Sequence, residues 1–222
     1  MAKTTTAARE DYLKSIYHLS TEQDGERVST SALAERLRVR DPSVSAMLKR
    51  LSQSDLVDYE PRQGAKLTEK GLLLTMRVVR RHRLLEAFLV EMLNLDWSEV
   101  HAEAEVLEHH LSDRIVDAID YALGHPNEDP HGHPIPDAEG RLRERDLQSL
   151  TALPVGDSAT VREVHTDDSA RLNRWKELGL VPGARCEMLE HREIEDVMRL
   201  RVSGREILTG SAGIFGVRIE KD

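Results

Sequence analysis

Cysteine is almost absent from this chain of 222 residues, and the single Cys186 excludes an internal disulfide framework and any cysteine-rich zinc site. Because Cys186 lies in a β-patterned run, we expect it to be a small core residue rather than a metal ligand. Aromatic residues are scarce as well, at 4%, whereas charged residues reach 32% and hydrophobic residues 39%. This composition is typical of a helix-rich chain with a core, and the length predicts two domains with room for a small third.

Long hydrophobic runs are also missing. The apolar runs, such as residues 71–74, are only a few residues long, and the first residues lack the apolar core of a signal peptide. We therefore expect a cytosolic protein without a membrane partner. The chain also lacks a His-Glu-x-x-His motif, a nucleophile elbow and a phosphate-binding loop. We expect a protein that is not an enzyme and has no small organic substrate, with a metalloenzyme as the alternative.

Charge is unevenly distributed along the sequence. The net charge of −9 argues against a generic polyanion binder, yet residues 62–83 carry seven bases and a single acid. Residues 91–129 show the opposite bias, because Arg114 is their only base among eleven acids. The pattern predicts that one part of the chain meets phosphate and another meets metal or a basic partner.

The N-terminal third has the pattern of a winged helix. Apolar residues at helical spacing predict a first helix over residues 7–19, a short second helix over 32–37 and a third over 42–54 that opens on a proline. Two short helices joined by a tight turn make a helix-turn-helix. Strand-like segments over 56–60 and 65–68 flank four turn residues and predict the hairpin that forms the wing.

Eight residues of this region are candidates for DNA contact. Short polar side chains near the start of the third helix can reach base edges, and arginines and lysines can hold phosphates. An arginine at the hairpin tip is placed to enter or border the minor groove. The candidates are Arg38, Arg40, Pro42, Ser43, Ser45, Lys49, Arg50 and Arg62. A winged helix that binds protein instead of DNA is the alternative.

The remaining two thirds change from helical to β-patterned. The periodicity predicts one long helix over residues 69–93 and another over 97–123, followed by a segment rich in proline and glycine over 124–145. From residue 150 onward, short β-patterned runs surround one helix over 170–178 and predict a small barrel. We therefore expect a mainly α fold with a small C-terminal β-barrel.

Seven histidines and carboxylates on three predicted helices are candidate metal ligands. Four share one face of the helix predicted over 97–123, two lie one turn apart on the helix predicted over 69–93, and one lies on the first predicted helix. In that order they are His101, Glu105, Glu108 and His109; His82 and Glu86; and Asp11. Carboxylates and imidazoles without sulfur suit Mn²⁺ or Fe²⁺. Four carboxylates should repel one another until about two divalent ions neutralise them; a solvated helix face is the alternative.

A second histidine cluster lies in the proline-rich connection. It comprises His125, His131 and His133. Such a connection does not fix ligand geometry by itself, so we expect a solvated loop rather than a metal site.

Several motifs together resemble the diphtheria toxin repressor family of metal-dependent transcriptional regulators. The motifs are Glu10-Asp11-Tyr12-Leu13, Pro42-Ser43-Val44-Ser45, Leu67-Thr68-Glu69-Lys70-Gly71, Arg81-His82-Arg83-Leu84-Leu85-Glu86 and the run from His101 to His109. The resemblance implies one metal site formed by His82, Glu86 and His101, and an adjacent site formed by Asp11, Glu105, Glu108 and His109. It also implies four segments: a DNA-binding domain over 1–72, a metal-binding and dimerisation domain over 73–140, a linker over 141–150 and an SH3-like domain over 151–222.

Three positions bear on which metal the resemblance implies. Asp11 and Glu105 stand where iron-type members carry methionine and cysteine, so both replace soft sulfur with hard oxygen, as in manganese-type members. Lys14, however, stands where the short manganese-type members carry a glutamate. Whether Glu163 of the SH3-like domain completes a metal site is left open.

These observations lead to one hypothesis. The chain is expected to be a homodimeric regulator in which Mn²⁺, with Fe²⁺ as the alternative, activates binding to double-stranded operator DNA and represses metal-uptake genes. The dimer is expected to form through the helices over residues 69–123 rather than through the β-rich end, because the second of them carries an apolar stripe that needs a partner. The stripe consists of Leu107, Leu111, Ile115 and Ile119.

Overall fold

The computed structural model describes residues 2–22, 26–143 and 145–221, so Glu144 of the predicted linker lies outside the described residues. The chain divides into two compact units, each of which is described by itself. Unit 1 comprises Met1–His82, Leu107–Leu111 and Pro136–Arg141, and unit 2 comprises Arg83–Val106, Ser112–Ile135 and Leu142–Asp222. Among the helices described, none is both long enough and apolar enough to cross a membrane.

Unit 1 contains the predicted helix-turn-helix and hairpin. Its elements are α1 (Ala2–Glu22), α2 (Thr30–Leu37), α3 (Asp41–Gln53), β1 (Val57–Glu60), β2 (Gly64–Leu67) and the first turns of α4 (Glu69–Glu91). Ser29 caps α2, because its hydroxyl accepts a hydrogen bond from the backbone N–H of Ala32 at 3.1 Å. Arg38 ends α2 in the left-handed region with φ of 53°, which makes the tight turn that leads into α3.

One apolar core holds these elements together. Leu13 of α1, Leu33 of α2 and Leu48 of α3 are fully buried in it. The hairpin is fixed to the segment before α2, because Val28 and Ala65 exchange two backbone hydrogen bonds of 2.8 and 2.9 Å. The predicted order of three helices and a hairpin is therefore confirmed, and α3 is held rigidly against the core with its outer face exposed.

The single helix predicted over residues 97–123 is wrong. The chain forms two helices there, α5 (Val100–Leu107) and α6 (Asp113–Ala122). Ser112, just before α6, has extended backbone angles of −80° and 154°, which interrupt helical hydrogen bonding. Glu108 and His109 consequently lie in the turn and do not continue the helical face of His101 and Glu105. The apolar stripe predicted for the dimer is broken at the same place.

The C-terminal part of unit 2 is an antiparallel sheet with two helices. Its elements are β3 (Gln148–Ser149), β4 (Ser158–Val164), α7 (Ser169–Leu178), β5 (Arg185–Arg192), β6 (Val197–Val202), β7 (Arg205–Thr209), α8 (Ser211–Ile214) and β8 (Val217–Lys221). The strand order is β3-β8-β4-β5-β6-β7. The predicted barrel is therefore wrong in one respect: β3, only two residues long, and β7 remain separate edges of an open sheet. Trp175 of α7 fills the core beneath the sheet, and Cys186 is fully buried there, as predicted.

The connection after α6 is not the solvated loop that the sequence predicted. His125 is exposed, but Asp129 and His131 are buried. One carboxylate oxygen of Asp129 accepts the backbone N–H groups of His131 at 2.8 Å and of His133 at 3.0 Å. The proline-rich composition did not reveal that one aspartate organises this loop from within.

Candidate metal centre and DNA-contact surface

A fully buried carboxylate, Glu108, is the centre of the first cluster. Lys14 of α1 donates to its Oε1 at 2.6 Å, and His82 Nδ1 of α4 lies 2.6 Å from its Oε2. A buried carboxylate requires such partners, since desolvation strongly disfavours an isolated charge. Glu108 lies in the turn that directly follows α5. All of these residues belong to unit 1.

Two further acids meet at His109. The imidazole Nε2 lies 2.9 Å from Asp11 Oδ1 and 3.4 Å from Glu108 Oε1, and Nδ1 lies 2.7 Å from Glu10 Oε2. The hydrogen bonds to Asp11 and to Glu10 raise the pKa of His109 from 6.5 to about 9. The imidazole is therefore a cation at neutral pH in this arrangement. Arg81 adds a guanidinium 3.6 Å from the other oxygen of Glu10.

The first cluster has the donor set and spacing of a divalent metal site. One ligand atom from each of Asp11, Glu108 and His109 lies within 4.8 Å of the others. Two carboxylate oxygens and an imidazole nitrogen suit a hard or borderline ion such as Mn²⁺ or Fe²⁺. Such an ion requires the neutral imidazole, so its binding must remove a proton from His109.

Unit 2 contains a second group of the predicted ligands. His101 of α5 has its Nδ1 3.1 Å from Glu86 Oε1 of α4 and its Nε2 3.7 Å from Glu105 Oε1. Glu86 is almost fully buried, whereas Glu105 is partly exposed. Asp167, which the sequence reasoning missed, lies 3.6 Å from His101 Nε2. Its only signal in the sequence was an acidic pair just before α7.

Each unit brings some of the seven predicted ligands together. Unit 1 brings together Asp11, His82, Glu108 and His109, and unit 2 brings together Glu86, His101 and Glu105. Glu10 and Lys14, which lie near Asp11 on α1, contact His109 and Glu108, and the sequence did not predict either contact. Their signal was available, since residues three or four apart share one side of a helix.

The residues predicted for DNA contact are accessible. Val44, Leu48 and Leu51 are the buried face of α3, and the candidates lie away from it. Seven of them are exposed and Ser45 is half-buried. Arg62 has a φ of 73° at the tip of the hairpin. The surface has the shape and charge that DNA contact requires, and the individual contacts stay predictions.

Three family models match successive parts of the chain. The N-terminal DNA-binding domain of iron-dependent repressors matches residues 4–65, and their metal-binding and dimerisation domain matches residues 68–137. The FeoA domain matches residues 148–211.

Curated relatives include an iron-dependent repressor and a second transcriptional regulator. The iron-dependent repressor IdeR of Mycobacterium tuberculosis is 36% identical over 188 residues, which cover 79% of this chain and 81% of IdeR. The HTH-type transcriptional regulator MntR of Bacillus subtilis is 40% identical over 121 residues, covering 53% of this chain and 83% of MntR.

Solved structures extend the similarity over nearly the whole chain. A manganese-dependent transcriptional repressor in complex with manganese is similar with a TM-score of 0.89 and 37% identity, covering 96% of this chain and 99% of that one. The manganese regulator SloR is similar with a TM-score of 0.76 and 34% identity, covering 96% and 98%. Together with the ligand residues of both units, these similarities place the chain in the diphtheria toxin repressor family of iron-dependent and manganese-dependent repressors.

Proposed function

We propose that this chain is a manganese-responsive transcriptional repressor, in which metal binding to unit 1 activates binding to operator DNA. The observation that carries the proposal is the cluster of Asp11, Glu108 and His109, which offers oxygen and imidazole donors from α1 and from the turn after α5. Because α1 packs in the same core as α3, the cluster is tied to the helix that presents the DNA-contact candidates.

The donor set favours manganese over iron within the proposal. Hard oxygen donors prefer hard ions, whereas a sulfur ligand would shift preference toward softer metals. Asp11 and Glu105 bring oxygen to the positions where the resemblance expects sulfur in iron-type members. The metal named for two of the similar structures is also manganese, whereas IdeR is named as an iron-dependent repressor. Iron is therefore the alternative corepressor.

Charge balance indicates how metal would change unit 1. In the present arrangement Lys14 and the protonated His109 neutralise Glu108 and Asp11. Asp11, Glu108 and His109 would hold a divalent ion, which would supply the positive charge that Lys14 and the protonated imidazole supply here. His109 would then have to be neutral, and Glu108 would depend less on Lys14, which belongs to α1.

A second ion and a second subunit complete the proposal. Glu86 and His101 form a separate donor pair in unit 2, consistent with two ions per subunit. Ile115 and Tyr121 of α6 are large apolar or aromatic residues with 47% and 78% of their surfaces exposed, which a homodimer interface would cover. Twofold protein symmetry would match two half-sites of an operator. The metalloenzyme alternative is not favoured, because the relatives are named as repressors and regulators.

The first prediction concerns metal dependence. Fluorescence anisotropy with operator DNA should show tight binding with Mn²⁺ and loss of binding with a chelator. Asp11→Asn, at a partly exposed position, should require at least about tenfold more Mn²⁺ for half-maximal binding, because one charged ligand is lost. The matched control is Glu103→Gln, an exposed acid of α5 that should behave like the parent. DNA binding that is indifferent to chelator would contradict the proposal.

The second prediction concerns pH. Because the pKa of His109 is about 9, the metal-free protein holds a proton there that the metal must displace, so Mn²⁺ affinity should rise about tenfold per pH unit below pH 9. Isothermal titration between about pH 6.5 and 8.5 measures this slope. His109→Gln should flatten the slope, while His110→Gln, an exposed neighbour, should keep it. An unchanged slope in His109→Gln would remove His109 from the site.

The same pKa predicts the opposite trend for the metal-free fold. The ion pairs of protonated His109 stabilise the metal-free fold. This stabilisation is fully present below pH 6.5, the ordinary pKa of histidine, and it is lost as the pH rises through about 9, the pKa of His109 in the fold. Metal affinity and metal-free stability should therefore change in opposite directions with pH.

The third prediction concerns the DNA surface. Lys49→Ala and Arg50→Ala should each weaken binding to every DNA sequence and reduce the salt-dependence slope by about one unit, since each removes a phosphate contact. Ser43→Ala should instead alter discrimination between operator variants. Anisotropy titrations at several salt concentrations distinguish these outcomes. The reverse pattern would mean that α3 presents a different face to DNA.

A further inference from the structure

The connection between α6 and the sheet is packed directly on β4. Gly132 has a φ of +88°, and a Cβ at this position would lie 1.8 Å from the carbonyl oxygen of Arg162. The backbone N–H of Val164 donates to the carbonyl of His131 at 3.0 Å, and Arg145 donates to the carbonyl of Gly132 at 3.0 Å. The loop is therefore held in one place on the strand, and its side chains have fixed positions.

Three potential metal ligands converge where the loop meets β4. Glu163 of β4 contacts His165, which directly follows the strand, because Glu163 Oε2 lies 2.9 Å from His165 Nε2. His133 reaches them from the loop, with its ring centroid 4.5 Å from that of His165. One ligand atom from each of the three residues lies within 4.8 Å of the others. Ligand atoms around tetrahedral Zn²⁺ lie roughly 3.4 Å apart, so small side-chain rotations close the site.

The buried Asp129 orients His133 for such a role. Asp129 Oδ2 lies 3.1 Å from Nδ1 of His133, while its Oδ1 is used by two backbone N–H groups. A proton on Nδ1 leaves the Nε2 lone pair available. A histidine that binds a metal through one ring nitrogen usually donates the N–H of the other ring nitrogen to a carboxylate, a backbone carbonyl or water. Asp129 is thus a positioning residue rather than a ligand.

The accessibility of the three residues suits an ion that enters from solvent. The side chain of Glu163 is only 11% exposed, that of His133 is 20% exposed and that of His165 is 49% exposed. Arg145 lies 3.6 Å from Oε1 of Glu163, which leaves Oε2 facing His165. The adjacent His131 is less suited, because its Nε2 contacts the carbonyl of Trp97 at 2.8 Å.

We infer that His133, Glu163 and His165 form a further metal site, separate from the seven ligands above, which takes a single borderline divalent ion such as Zn²⁺. Two imidazoles and one carboxylate are a frequent zinc donor set, with water as the fourth ligand. The ion would cross-link the loop to the end of β4 within unit 2. The site goes beyond the proposed function, since none of its residues belongs to the manganese cluster of unit 1.

The test is Zn²⁺ retention by the full-length protein. The parent, His165→Gln and His133→Asn are dialysed against buffered free Zn²⁺, and bound metal is measured by elemental analysis. Each variant should retain about one equivalent less than the parent, or bind that equivalent more than about 100-fold more weakly, because loss of an outer-shell partner alone costs 10- to 100-fold. The matched control His125→Gln, an exposed histidine of the same connection, should retain the parent's equivalents.

The same difference should appear in an Asp11→Asn background, where the cluster of unit 1 is weakened. This background distinguishes the further metal site from the proposed function, because the Zn²⁺ difference does not depend on metal binding to the cluster of unit 1. Circular dichroism of the metal-free variants should match the parent, and His133→Asn serves if His165→Gln does not fold. Equal Zn²⁺ stoichiometry and affinity in the parent and both histidine variants would overturn the inference.

Discussion

A single buried carboxylate, Glu108, is the constraint on which unit 1 depends. It is fully buried, so its charge has to be compensated within the protein, and Lys14 and His82 lie 2.6 Å from its two oxygens. These partners come from α1 and α4, so compensating one charge also ties two helices to the turn after α5. Because Glu108 is also a proposed ligand, the same group links the stability of unit 1 to its response to metal.

The metal-free arrangement differs from the one that carboxylate repulsion predicts. The sequence leads one to expect acids that repel until a metal arrives, but the structure places internal cations among them. Lys14 compensates Glu108, and His109 is protonated between Asp11 and Glu10. A metal ion therefore competes with the cationic side chains of Lys14 and His109 for the carboxylates. The more strongly these side chains hold the carboxylates, the higher is the metal concentration needed for binding.

Much of the fold followed from local patterns in the sequence. The three N-terminal helices, the hairpin and the strands after residue 150 have strong periodicity and turn signals, and the structure contains them. The break between α5 and α6 had only a short local signal, Ser112 and Asp113 at the start of α6, and the contacts that bury Glu108 come from residues distant in sequence. The open edges of the sheet likewise depend on β3 being only two residues long.

The candidate ligands were predictable as a set, but the end of α5 at Leu107 was not. Spacing predicted four ligands on one helical face; His101 and Glu105 do lie on α5, whereas Glu108 and His109 lie in the turn after it. The proline-rich composition predicts a solvated loop around His125, His131 and His133, whereas Asp129 and His131 are buried. The loop is organised by Asp129, whose Oδ1 accepts the backbone N–H groups of His131 and His133. These hydrogen bonds span only five residues, but they leave no periodic pattern in the sequence.

The most direct test of this account is the Mn²⁺ affinity of Lys14→Met, measured by isothermal titration of the full-length protein. Removing the internal cation leaves Glu108 with an uncompensated charge, so Mn²⁺ should bind at least about tenfold more tightly while the metal-free protein becomes less stable. Lys66→Met, an exposed lysine of β2, makes the same change in net charge and should leave the affinity unchanged. Unchanged or weaker Mn²⁺ binding in Lys14→Met would contradict the competition between Lys14 and the metal.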